Sequence, residues 1–152
     1  MPIYRKINTQ PIILGSDHAG FKLKEFVKKF LIKKRKKVLD IGTNNTSSVD
    51  YPDFAHILAK KIKNKKQFGI LICGSGTGMS IAANRHKNIR AALCYNVKSS
   101  KLSRKHNNAN VITLGARLTK KNDALKCIKV FLETSFDEGR HKKRIKKIQN
   151  YE

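Results

Sequence analysis

The sequence predicts an α/β protein, one domain in which a parallel sheet is covered by helices on both faces. Three observations carry this. Five short apolar runs recur along the 152 residues, each closed by glycine or polar residues. Stretches with the apolar period of a helix separate them. The joints are short, and no long linker, internal repeat or low-complexity segment interrupts the alternation beyond a general lysine bias.

The first ten residues, "MPIYRKINTQ", lack the long apolar core of a secretory signal and are read as an extension before a domain over 11–152. "PIILGSD" (11–17) is the first strand, an apolar run ending in small and polar residues. "FKLKEFVKKFLIKK" (21–34) places apolar residues at 23, 26, 27, 30 and 31, a helical stripe. "KVLDIGT" (37–43) is a second strand closed by a glycine turn. "YPDFAHILAKKIKNKK" (51–66) starts with a proline suited to a first helical turn and is expected to bury 54, 57, 58 and 62. "FGILIC" (68–73) is the third strand, followed by a glycine loop and a helix through "MSIAANRH". "IRAALCY" (89–95) and "NVITLG" (110–115) are the fourth and fifth, with "VKSSKLSRKHN" helical between them. "KNDALKCIKVFLET" (121–134) is helical, and a strongly basic helix is expected at about 140–150.

Bulk composition narrows the function. With 39% hydrophobic residues the chain can bury one sizeable core, and no stretch approaches the ~18 apolar residues of a membrane span. Cys73, Cys94 and Cys127 are odd in number and widely spaced, with no pattern for zinc or a disulfide framework. A reducing cytoplasm is the expected compartment, with no metal. The charge is the loudest feature: 34 Lys+Arg against 10 Asp+Glu, formally +24. Such a balance points to nucleic acid or acidic membranes as partners. Two details argue for solvated faces instead: lysines recur in nearly every helix, and no aromatics interleave with them as base stacking needs. Only 8 of the 34 cations are arginine, so each arginine, with its planar phosphate-gripping fork, is the more informative residue.

Ligands in open parallel sheets sit at the carboxyl ends of strands. Asp17–His18, Cys73–Gly78 and Arg117 all fall at such ends. Gly74, Gly76 and Gly78 form GxGxG, but Met79 replaces the last glycine of a dinucleotide fingerprint and no Lys-Ser/Thr follows as in a P-loop. A tight strand-to-helix turn alone accounts for such a loop. It also offers unobstructed N–H groups to a phosphate or to an oxyanion formed during reaction. Cys73 at its entrance is either a buried strand-end hydrophobe or a thiol whose thiolate is favoured near a helix N-terminus. A thiolate facing N–H donors suits acyl transfer and suits proton removal beside a carbonyl; spacing leaves both open.

The blocks "GSDHAGFKLK", "DYPDFA", "GILICGSGTGMSIAANR", "RAALCYN", "LSRKHNNANVITLGAR" and "FDEGRHKKRI" resemble, in order and spacing, the ribose-5-phosphate isomerase B family. The match runs from about residue 11 to the C-terminus. The resemblance implies a three-layer, Rossmann-like α/β/α sandwich with five parallel strands ordered 2-1-3-5-4, working as a homodimer with shared active sites. It implies interconversion of ribose 5-phosphate and ribulose 5-phosphate in the pentose phosphate pathway, without metal or organic cofactor. Cys73 is then the base that moves a proton between C1 and C2. The amides of Gly74, Ser75, Gly76, Thr77 and Gly78, with the Ser75 hydroxyl, hold the enediolate. Some members carry Glu at the position of Met79 and lack the cysteine; Ser75 stands where others have Thr.

The remaining roles come from the same resemblance. Asp17 and His18, otherwise a turn and helix cap, touch the sugar and the phosphate end. His106, by itself an ordinary surface histidine, stands where the family has the acid/base that opens the furanose ring, with Asn107 beside it. Arg117, Arg140 and Arg144 clamp the phosphate; the last two are one helical turn apart and share a face. Tyr51 is a further candidate at the sugar site, and His141 beside the clamp. Relatives acting on allose 6-phosphate or galactose 6-phosphate are the alternatives; the galactose branch tends to lose the "HN" and "GRHxxR" features present here. From another class, a basic nucleic-acid-binding module makes the site residues incidental and predicts binding that falls steeply with salt.

Overall fold

The structure, a computed structural model, describes residues 10–150, so nearly all of the expected extension over 1–10 lies outside it. In chain order the elements are β1 (Ile12–Ser16), α1 (Phe21–Lys33), β2 (Val38–Asp40), α2 (Tyr51–Lys61), β3 (Gly69–Cys73), α3 (Thr77–Ala83), β4 (Ala91–Leu93), α4 (Val97–Asn107), β5 (Val111–Gly115), α5 (Lys121–Glu133) and α6 (Arg140–Gln149). All strands run parallel in one sheet, ordered β2-β1-β3-β5-β4, the order the resemblance implied. No helix of the described residues is long and apolar enough to cross a membrane.

The central strands β1, β3 and β5 are buried at every residue, as covering helices require. Successive strand residues point to opposite faces and thereby build two cores. Ile12, Leu14, Ile70, Ile72, Ile112 and Leu114 pack with Leu23, Val27, Leu31, Ile128 and Phe131 of α1 and α5. Ile13, Leu71, Cys73 and Val111 pack with Leu58 of α2 and Met79 of α3 on the other face. Cys73 thus belongs to the α2–α3 layer.

Boundaries differ where the chain leaves the sheet. The expected second and fourth strands shrink to three residues each, β2 and β4, because both lie at sheet edges with one neighbour. α2 ends at Lys61 instead of 66; Ile62 is extended, and the Gln67 side chain accepts the Lys63 N–H at 3.0 Å to hold the turn. Its buried face is Ala55, Leu58 and Ala59, while Ile57 is exposed and Phe54 only partly covered. Small alanines let α2 approach the sheet, which rotates the expected stripe. Within α1 the surprise is Lys24, 1% exposed, whose Nζ donates to Asp40 and Glu25 at 2.6 Å each.

Candidate active site

The carboxyl ends of β1, β3 and β5 lie side by side: Ser16 is in register with Ile72, and Cys73 with Gly115. After Cys73 the chain turns sharply through Gly76, whose φ of +79° lies in the left-handed region that favours glycine. A Cβ there would also stand 2.7 Å from Leu93 Cδ1. The turn folds the Gly76 N–H back onto Cys73, which accepts it on Sγ at 3.1 Å. Ser75 Oγ accepts the Thr77 N–H at 3.3 Å, and both of these residues are exposed. Met79 points the other way, fully buried in the core.

Two side chains flank the loop. Arg117 is tied to it by its own N–H, donated to Gly74 O at 3.0 Å, and its guanidinium lies over Gly74, where a Cβ would come within 3.0 Å of Nη1. The Tyr51 ring covers Gly78 so closely that a Cβ would stand 2.5 Å from Cζ. From β1, Asp17 is buried and its Oδ1 accepts the Gly20 N–H at 3.0 Å, shaping the turn into α1. His18 accepts the Val49 N–H on Nδ1 at 3.1 Å, so a neutral His18 carries its proton on Nε2. Asp17, His18, Tyr51, the Cys73–Gly78 loop and Arg117 therefore gather at one edge of the sheet.

The other predicted residues do not join them. His106 and Asn107 end α4, which leads into the start of β5, so they lie at the amino edge. Arg104 anchors this corner, its guanidinium 4.8 Å from the ring centre of Phe68. Asp137 donates its N–H to Lys105 O at 3.0 Å and brings the start of α6 against α4. There the His106 and His141 rings stack with centroids 4.5 Å apart and planes within 13°. Burial, then the neighbouring His106, Arg140 and Arg144, lower the pKa of His141. Arg140, Lys143, Arg144 and Lys147 form an exposed basic patch on one face of α6. Strands of five residues rising ~3.3 Å each hold the two edges roughly 16 Å apart. Within one chain the two groups thus stand at opposite edges of the sheet.

Sequence reasoning passed over Asp137, although it lies in the matched block "FDEGRHKKRI". Donor atoms of His106, Asp137 and His141 all lie within 4.8 Å of one another. The lone pairs of two nearly parallel rings do not converge on one point, so the stack as it stands is not a chelating arrangement.

Known proteins share this sequence pattern and fold. A family model described as Ribose/Galactose Isomerase matches residues 12–148. The chain is 38% identical over 138 residues to ribose-5-phosphate isomerase B of Escherichia coli (strain K12), covering 90% of this chain and 93% of that one. A crystal structure of a ribose 5-phosphate isomerase from Thermotoga maritima superposes with a TM-score of 0.89 at 49% identity, covering 91% of this chain and 97% of that one. Ribose-5-phosphate isomerase B of Mycoplasma genitalium, solved with ribulose-5-phosphate bound, superposes with a TM-score of 0.88 at 41% identity, with coverages of 93% and 95%.

Proposed function

The chain belongs to the ribose/galactose isomerase family, and from that premise we propose that this aldose–ketose isomerase interconverts ribose 5-phosphate and ribulose 5-phosphate. The observation that carries the proposal is the Cys73 thiol at the mouth of an amide-lined loop, with the Arg117 guanidinium laid over it. In the open-chain aldose, the Cys73 thiolate removes the C2 proton; the electron pair moves to form the C1–C2 double bond, and charge develops on O1. Preorganised N–H groups of the Gly74–Gly78 loop and the Ser75 hydroxyl stabilise that enediolate. The Cys73 thiol then returns the proton to C1 while the O2 hydroxyl proton passes to O1, leaving the ketose with its carbonyl at C2. Asp17 and His18 hold sugar oxygens, and Tyr51 flanks the loop over Gly78.

His106, Asn107, His141, Arg140 and Arg144 enter from a second copy of the chain. The roughly 16 Å between the sheet edges supports this reading, since a two-fold dimer that sets the amino edge of one copy against the carboxyl edge of the other brings the two groups together. There His106 protonates the ring oxygen to open the furanose, while Arg140 and Arg144 meet Arg117 around the phosphate. A reducing cytoplasm keeps the three free thiols as they are.

A coupled assay of ribulose 5-phosphate formation tests the activity, with allose 6-phosphate and galactose 6-phosphate run beside it. Complementation tests the shared site. Cys73→Ser and His106→Ala chains are each expected to lose at least about a hundredfold in turnover. Unfolded together and refolded, they should regain roughly a quarter of wild-type activity, because half the dimers are mixed and each mixed dimer holds one intact site. A mixture no more active than its parts would show that each site is built within one chain.

A further inference from the structure

A cavity of about 500 Å³ lies at the amino edge of the sheet, beneath the side of α6 turned towards its own domain. That size is typical of small-molecule sites. The connections α2–β3, α3–β4 and α4–β5 form its floor, and asparagines hold them rigidly together. The Asn110 side chain accepts the Arg90 N–H and donates to Asn88 O, both at 2.8 Å. Asn88 in turn donates to the carbonyls of Ala59 and Ile62 at 3.1 Å each. These amides are committed to the frame.

What faces the space is cationic. Lys63, Lys65, Arg90, Lys142 and Lys146 line it against one carboxylate, Glu138. Arg90 is partly buried, its Nε donates to Asn108 O at 3.0 Å, and among the described residues no carboxylate pairs with it. Burial lowers its pKa, the mark of a cation held away from water. Phe136, Ile62 and Ile145 supply an apolar wall.

We propose that this cavity is a second anion site that takes a nucleoside phosphate, the phosphate against Arg90 and the lysines, the base against Phe136 and Ile145. A bare phosphate would leave most of the space and the apolar wall unused. Because the framework amides are already bonded, the site reads charge and flatness more than the identity of the base. It also bears on catalysis through α6. Lys142, Ile145, Lys146 and Gln149 close the cavity, while Arg140, Lys143, Arg144 and Lys147 form the basic patch on the other side. At 3.6 residues per turn the two faces point about 160° apart. A ligand beneath the helix therefore braces the arginines above it, a consequence that rests on their proposed role in binding the sugar phosphate.

Calorimetric titration of the full-length protein with ADP, at fixed ionic strength, tests the site. ADP is expected to bind with and without saturating ribose 5-phosphate, more tightly with it by the same factor by which ADP lowers the KM for that sugar, while kcat stays unchanged. Lys142→Glu with Lys146→Glu should weaken ADP on the order of tenfold or more, moving the unfolding midpoint only by the loss of the exposed Lys142–Glu138 pair at 3.5 Å. Lys63→Glu, on the opposite wall, should do the same while leaving α6 untouched. Displacement of ADP by ribose 5-phosphate would place it in the isomerase site and overturn the proposal. So would binding indifferent to both sets of charge reversals, which marks general attraction to a +24 surface, or no binding at millimolar ADP. An unchanged KM would overturn the link through α6. Intact ADP binding in a protein that does not isomerise ribose 5-phosphate would sink the proposed activity and leave the site standing.

Discussion

Cys73 is one of three buried thiols, and the backbone around it is what sets it apart. Its sulfur receives the Gly76 N–H at the edge of an open loop. Cys94 and Cys127 sit in the opposite core, 1% and 0% exposed. Burial pushes the Cys94 thiol up to about 11 and also raises Cys127. At pH 8 only about one Cys94 in a thousand is a thiolate, and reagent cannot reach it. Brief treatment of the folded protein with iodoacetamide at pH 8 is expected to leave Cys94 and Cys127 unmodified, and the same treatment in guanidinium to modify both. Peptide mass spectrometry reads the result; rapid labelling of Cys94 in the folded protein would contradict the packing described.

Among the elements, α1 and α6 carry their cations for different reasons. The Lys24 ammonium of α1 is buried against Asp40 of β2, and Lys28 adds a second contact to that carboxylate at 3.1 Å. Burial by itself would raise the Asp40 pKa, but the hydrogen bonds from Lys24, Gly42 and Lys28 outweigh it and hold the carboxyl below its ordinary value. A lowered carboxylate contributes stability in full above its unfolded pKa of about 4, and loses it as pH falls through the folded value. Lys24→Met leaves a partly buried carboxylate short of its main partner and should cost about 3 kcal/mol at pH 7. Much of that difference from wild type should vanish at pH 3, where the carboxyl is protonated on unfolding; urea titrations at the two pH values measure it. On α6 the cations are exposed, and in the proposed phosphate clamp the geometry of the guanidinium is what matters. Arg140→Lys and Arg144→Lys keep the net charge at +24 but lose the planar fork, so each should raise the KM for ribose 5-phosphate about tenfold or more. Lys129→Ala, on the exposed side of α5, should not. Arginine-to-lysine variants with wild-type KM would reduce the clamp to simple charge.

For the whole molecule, charge and histidine burial set the response to pH. His86 is harder to protonate in the fold through burial, then through His56 and Lys60; its Nε2 lies 2.7 Å from His56 Nδ1. His141 is lowered as well, through burial and its cationic neighbours. Both therefore take up protons more readily in the unfolded chain. Their contribution is complete above the ordinary histidine pKa of about 6.5 and is lost as pH falls below it. The thermal midpoint should drop between pH 7.5 and 5.5, and less so in a His86→Gln, His141→Gln variant. Lower ionic strength should deepen the drop, because self-repulsion in so cationic a chain is then less screened. A midpoint that rises on acidification would contradict these assignments.

What is local can be read from the amino-acid order alone. Strand cores, their alternation with helices, and the Cys73–Gly78 loop were legible because each is written in contiguous residues, and a left-handed turn at Gly76 needs no distant partner. The matched blocks added the strand order, which local chemistry does not contain. Which helical face is buried was settled by long-range packing, since a period of 3.6 residues marks a stripe but not the surface it meets. Hence Ala55 and Ala59 displaced Ile57 on α2, and Lys24 went inside once Asp40 came to face it across sixteen residues of chain. The tertiary structure also split the predicted site. In a parallel sheet every helix carries the chain back, so residues ending a helix stand a strand's length from residues ending a strand. That length is what sets His106, Arg140 and Arg144 apart from Cys73 in a single chain.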